Sequence, residues 1–70
     1  MIRAPVTSSN LRAVGYNPTS RVLEIEFNDG SVYRYSGVPE SVYRDLMSAG
    51  SHGRYFAAFI KGCYPYRRIV

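Results

Sequence analysis

Val22-Leu23-Glu24-Ile25-Glu26-Phe27-Asn28-Asp29-Gly30-Ser31-Val32-Tyr33-Arg34-Tyr35-Ser36-Gly37 is the stretch that decides the fold. Two alternating runs flank Asn28-Asp29-Gly30, which suits a three-residue hairpin loop: a type I turn followed by a glycine in the left-handed conformation. That loop sets Leu23, Ile25 and Phe27 on one face together with Tyr33 and Tyr35. Glu24 and Glu26 share the other face with Val32 and Arg34, and Glu24 falls opposite Arg34 as a favourable cross-strand pair. A two-residue Asp29-Gly30 turn would slip the register by one and mix both tyrosines with the glutamates. The three-residue loop separates apolar from charged, and register follows that separation.

Working outward, Asn10 to Tyr16 reads as a first strand, and Asn17-Pro18-Thr19-Ser20 as the turn joining it to the hairpin. Either Leu11 and Ala13 or Val14 and Tyr16 can face inward on that strand. Residues 1–6 read as a flexible lead-in, and irregular chain continues to Ser9. Gly37-Val38-Pro39 ends the sheet, and Pro39 with Glu40 opens a helix. Its inward stripe is Val42, Leu46 and either Tyr43 or Met47, with Glu40 and Arg44 paired on the outer side. Gly50 reads as a left-handed stop. Ser51 caps a second helix running to about Lys61, with Phe56, Phe59 and Ile60 inward, Tyr55 flanking them and Gly62 ending it. The tail from Tyr64 is extended, because Pro65 disfavours helix before it. The expected fold is α+β: a three-stranded antiparallel meander covered on one face by two helices, in the order βββαα, with an extended tail.

Seventy residues make one domain, and a chain this short buries only about 60% of its extended surface. Seven Tyr, three Phe and no Trp suit a shallow core with wet edges. The single cysteine, Cys63, makes no internal disulfide, so a reducing, cytoplasmic setting is expected. No stretch is long and apolar enough for a signal peptide or a membrane span. The net charge of +4 is uneven. In residues 1–45 five arginines balance five acids, whereas residues 46–70 carry Arg54, Lys61, Arg67 and Arg68 and no acid. The excess points to an anionic partner.

Several motifs read together resemble one small family. They are Thr7-Ser8-Ser9-Asn10, Val14-Gly15-Tyr16, Tyr33-Arg34-Tyr35, Gly37-Val38-Pro39, Ser51-His52-Gly53-Arg54-Tyr55-Phe56 and Tyr64-Pro65-Tyr66-Arg67. The set is similar to the KTSC domain, named for the C-terminal extension of some lysyl-tRNA synthetases and also found as free-standing bacterial proteins. The resemblance spans roughly residues 6–69 and implies an association with RNA rather than an established activity. One departure stands out: the family pattern implies a polar residue after Tyr55-Phe56, where this chain has Ala57-Ala58.

Three groups of residues are candidate contacts to nucleic acid. Ser51, Gly53, Arg54 and Tyr55 combine free N–H groups at a helix start with a cation. Lys61, Tyr64, Tyr66, Arg67 and Arg68 offer cations for phosphates and rings for bases; the rival reading has the tyrosines holding the tail down. Tyr33 and Tyr35 are either a stacking platform or core, and the register turns both toward the helix-covered face. No P-loop or dinucleotide fingerprint is present. His52 and Cys63, the lone His and Cys, come with no orienting third group and too few companions for a metal. The expectation is a monomeric, non-enzymatic module with no metal or cofactor. It would bind RNA or single-stranded nucleic acid with limited base specificity. A protein-interaction module is the alternative.

Overall fold

The computed structural model describes residues 1–70. It contains strands β1 (Arg3–Pro5), β2 (Leu11–Asn17), β3 (Val22–Phe27) and β4 (Val32–Tyr35), helices α1 (Glu40–Ser48) and α2 (His52–Phe59), and strand β5 (Tyr66–Arg68). The strands form one antiparallel sheet in the order β1-β2-β3-β4-β5. The α+β class and the two helices are as expected, but the sheet has five strands rather than three. Arg3–Pro5, read above as flexible lead-in, pairs with Ala13–Gly15, and the tail pairs with β4. No helix is long and apolar enough to cross a membrane.

The central hairpin has the expected register: Leu23 lies opposite Tyr35, Glu24 opposite Arg34, Ile25 opposite Tyr33 and Glu26 opposite Val32. Gly30 takes φ +90° and donates its N–H to Phe27 O, closing the loop. The open question on β2 is resolved by a bulge. Leu11 pairs with Phe27 while Ala13 pairs with Glu26, leaving Arg12 as the extra residue. Leu11 and Val14 therefore both point inward despite a three-residue spacing, and both are fully buried. Asn17 caps its own turn, accepting from Thr19 N at 2.9 Å and Ser20 N at 3.3 Å.

The core joins Leu11, Val14, Leu23, Ile25 and Tyr35 of the sheet to Val38, Leu46, Phe56 and Ile60. Leu46 is the fully buried residue of α1, while Val42, Tyr43 and Met47 pack around the core's margin. Tyr16 stacks on Tyr43 at 4.9 Å and donates its hydroxyl to Val38 O at 2.6 Å. Three details of the helices differ from expectation. Gly50 has no positive φ: α1 ends because Ala49 turns extended, at φ −66° and ψ 143°. Phe59 is not core. Phe56 and Ile60, four residues apart, occupy the inward stripe, and Phe59 projects outward, 57% exposed, with its ring against Tyr55. The helix itself stops at Phe59, and Gly62 at φ +78° lies in the turn beyond.

The helix-free face is held by ion pairs. Glu24 is only 2% exposed and is clasped by Arg3 from β1 and by Arg34 from β4, the latter at 2.8 Å. Arg3 and Arg12 also reach Glu26, at 3.3 and 3.4 Å. Burial alone would raise the Glu24 pKa, but the hydrogen bonds from Arg34 and Arg3 and their charges prevail and hold it below the usual carboxylate value. An unfolded glutamate takes up its proton near pH about 4.3, whereas folded Glu24 resists until lower pH. Between those values the unfolded chain binds more protons, so stability falls on acidification through this window. The expected result is a thermal midpoint that drops as pH is lowered from about 5 to about 3, with a shallower drop in Glu24→Gln. An equally steep drop in that variant would remove Glu24 from the account.

Candidate nucleic-acid interface

The ion pairs engage four of the five arginines of residues 1–45. Arg3, Arg12 and Arg34 are bound to Glu24 and Glu26, and Arg44 to Glu40 at 3.5 Å, as the sequence spacing implied. Arg21, Arg54, Lys61, Arg67 and Arg68 have no carboxylate within ion-pair distance. None of the four cations of the acid-free last third is paired with an Asp or Glu, although Arg68 donates from Nε to Val70 O at 2.7 Å.

The residues around the start of α2 do separate jobs. Ser51 caps the helix, its hydroxyl accepting from Arg54 N at 3.3 Å. Gly53 lies hard against the Asn10 side chain, which itself accepts a hydrogen bond from Ser8 Oγ at 3.0 Å. The Thr7–Asn10 and Ser51–Phe56 motifs are therefore neighbours in space. A carbonyl can only accept, so His52 Nδ1 carries the proton in its 2.8 Å bond to Leu46 O. That contact ties the two helices together. Arg54 is exposed. Tyr55 instead faces α1, where burial first and then the Asp45 charge push its hydroxyl pKa up. Ala57 and Ala58 lie on the exposed side of α2.

The tail does not act as one basic patch. Tyr64 packs half-buried against the core, and Pro65 O accepts from Ser36 N at 2.9 Å, which docks the chain for β5. Along β5, Tyr66 pairs with Tyr35, Arg67 with Arg34 and Arg68 with Tyr33. Side chains alternate along a strand, so Tyr66 and Arg68 share the face of Tyr33 and Tyr35. Arg67 lies on the helix-free face beside Arg34. The sequence-adjacent arginines point in opposite directions.

Tyr33, Tyr35 and Tyr66 meet Phe27 and Phe56 in one aromatic cleft of about 490 Å³. Phe27 lies edge-on to Tyr33 (5.6 Å) and Phe56 (5.5 Å), Tyr35 edge-on to Phe56 (5.6 Å). Tyr66 spans both sheet tyrosines, at 5.8 Å from Tyr33 and 5.7 Å from Tyr35. Asn10, Ser31, Lys61 and Gly62 complete the lining, and no carboxylate takes part. Tyr35 is buried and Tyr33 half-buried, so these tyrosines are both core and cleft wall. Burial, helped by its Tyr33 and Tyr66 neighbours, pushes the Tyr35 phenol up to about 12. Next to the cleft, Asp29 is held low by the Ser31 hydroxyl and N–H, with Arg68 adding its charge. Alternation alone points to Phe27 as a wall residue. Asn10 is marked only as the end of the Thr7–Asn10 motif and Ser31 not at all; they stand directly before β2 and β4. No group of three or more His, Cys, Asp or Glu side chains could hold a metal ion.

A free-standing uncharacterised protein of Stutzerimonas stutzeri is 44% identical over 70 residues, with 99% of each chain covered. A lysine–tRNA ligase of Nostoc sp. (strain PCC 7120) is 43% identical over 61 residues, and the match takes in 87% of this chain but only 11% of the ligase. The crystal structure of a KTSC domain protein from Yersinia pestis superposes with a TM-score of 0.96 at 45% identity, covering 99% of this chain and 97% of that one. The KTSC domain pattern itself matches residues 7–64. With sequence motifs, whole-chain fold and relatives in agreement, this chain belongs to the KTSC domain family.

Proposed function

We propose that the domain is a non-catalytic module that binds single-stranded RNA, mainly through phosphate contacts made by Lys61, Arg68 and Arg54 and with limited base specificity. The carrying observation is that no cation of the last third is paired with an Asp or Glu, whereas the three glutamates hold four of the five arginines of residues 1–45. Unpaired lysines and arginines attract polyanions and gain from counterion release. The kinship to part of a lysine–tRNA ligase, a protein that by name handles tRNA, supports RNA as the polyanion.

The test is a titration of labelled protein with a short mixed-sequence RNA at low and high salt. Shifts are expected at residues 53–54, 61–62 and 66–68, fading as salt rises. Three phosphate contacts correspond to a slope of log affinity on log salt of about −2 for a single strand, about 0.7 per contact. Lys61→Ala and Arg68→Ala should each flatten that slope by one contact. Arg67→Ala, on the opposite face, should leave it nearly unchanged. An Arg67 effect as large as that of Arg68 would refute the one-face assignment. No shifts at low salt would favour a protein partner instead.

A further inference from the structure

Resting on that RNA-binding reading, we infer that the cleft between Tyr33, Tyr35 and Tyr66 seats a single unpaired nucleobase, so that the domain holds RNA by one base as well as by its phosphates. The cleft's volume of about 490 Å³ falls among those of small-ligand sites, about 300–1,000 Å³. Five of its nine lining residues are aromatic, and Tyr66 is 61% exposed, leaving ring surface free for a second flat ring. A nucleobase is flat, polarizable and polar only at its edge, and stacking on such rings is tolerant of its identity.

The rim fits the rest of a nucleotide. Lys61 lines the cleft, and Arg68 stands beside Tyr33 on the same face. A phosphate attached to the seated base would meet these cations with no carboxylate in the lining itself, Asp29 standing behind Ser31 and bonded to it. Asn10 adds an amide whose oxygen is engaged by Ser8 and whose Nδ2 has no partner within the protein, leaving donors for a base edge. A base inside a duplex hides its faces between neighbours, so only an unpaired one can enter.

The experiment compares a short single-stranded RNA with a chain of the same number of phosphates built from abasic spacers, at low salt. The RNA should bind about tenfold more tightly, the scale of one stacked base, and should move the ring protons of Tyr33 and Tyr66 upfield. Tyr66→Ala should erase the difference between the two ligands, whereas Tyr66→Phe, which keeps the ring, should preserve it. Lys61→Ala should weaken both ligands alike. Tyr66 is largely exposed, and an unchanged thermal midpoint would confirm that its replacement leaves the fold intact. Equal binding of RNA and abasic chain, or a difference that survives Tyr66→Ala, would overturn the base seat while leaving the phosphate reading in place. Failure of both ligands to bind would overturn the two together.

Discussion

Replacing Phe56 with alanine should lower the unfolding free energy by about 3–5 kcal/mol, the range for deleting a large buried ring. Phe56 is 5% exposed and belongs to the cluster that joins the sheet to Leu46 and Ile60. Its ring also meets Phe27 and Tyr35 edge-on, so the deletion opens a hole that two strands and a helix line together. Small domains hold about 5 kcal/mol or somewhat more in reserve, and the variant should be largely unfolded in mild urea where the parent is intact. Phe59→Ala is the informative control. That ring sits against Tyr55 but is mostly in solvent, and its loss should cost less than about 1 kcal/mol. Comparable urea midpoints for the two variants would reverse the assignment of the helix face.

Gly15→Val carries the second large effect, about 2–3 kcal/mol by the scale of overpacked sites. Gly15 lies on the helix-free face between Arg3 of β1 and Glu24 of β3. With no side chain there, Arg3 can cross β2 to reach Glu24. Even a single added carbon would stand 3.0 Å from Ile2 O and 3.1 Å from Arg3 Cγ. A valine must displace the arginine, push β1 off the edge, or both. The variant should lose protection of the β1 amides from exchange, and the Glu24 carboxyl should titrate closer to an ordinary glutamate. If Glu24 keeps its depressed titration, the path of Arg3 over Gly15 is not what holds it.

What could be read from the residues alone follows the range of the forces involved. The hairpin register was legible because Asn28-Asp29-Gly30 and the alternation on either side act over a few residues. The Ser51 cap and the Glu40–Arg44 pair were legible for the same reason. β1 was not, since Arg3-Ala4-Pro5 has no pattern of its own and is fixed by Glu24 and Glu26, two strands away. Phe59 was misplaced because three- and four-residue spacings both satisfy a helical stripe, and only the sheet decides which ring turns in. The candidate site was half legible. Tyr33, Tyr35, Tyr66 and Lys61 are candidates from sequence and do converge, but adjacency in sequence groups Arg67 with Arg68, because pairing of the tail to β4, which sends them to opposite faces, is a long-range event. Tyr55 and Tyr64 pack half-buried against the core, outside the cleft.

The two sides of the aromatic cleft have different histories in the folding chain. Phe27, Tyr33 and Tyr35 lie on one hairpin and can meet by closing a short loop, whereas Tyr66 arrives only after two helices have been laid down between them. Long loops close more slowly, and β5 is a three-residue strand on an exposed edge, extended only by backbone bonds of Pro65 to Ser36 and of Ile69 and Val70 to Val32. Release of this last strand would leave the hairpin and its hydrophobic centre standing but strip the cleft of one wall and one cation. The cleft is therefore less stable than the domain that bears it, and any ligand gripping Tyr66 and Tyr33 at once would act as a clasp on β5.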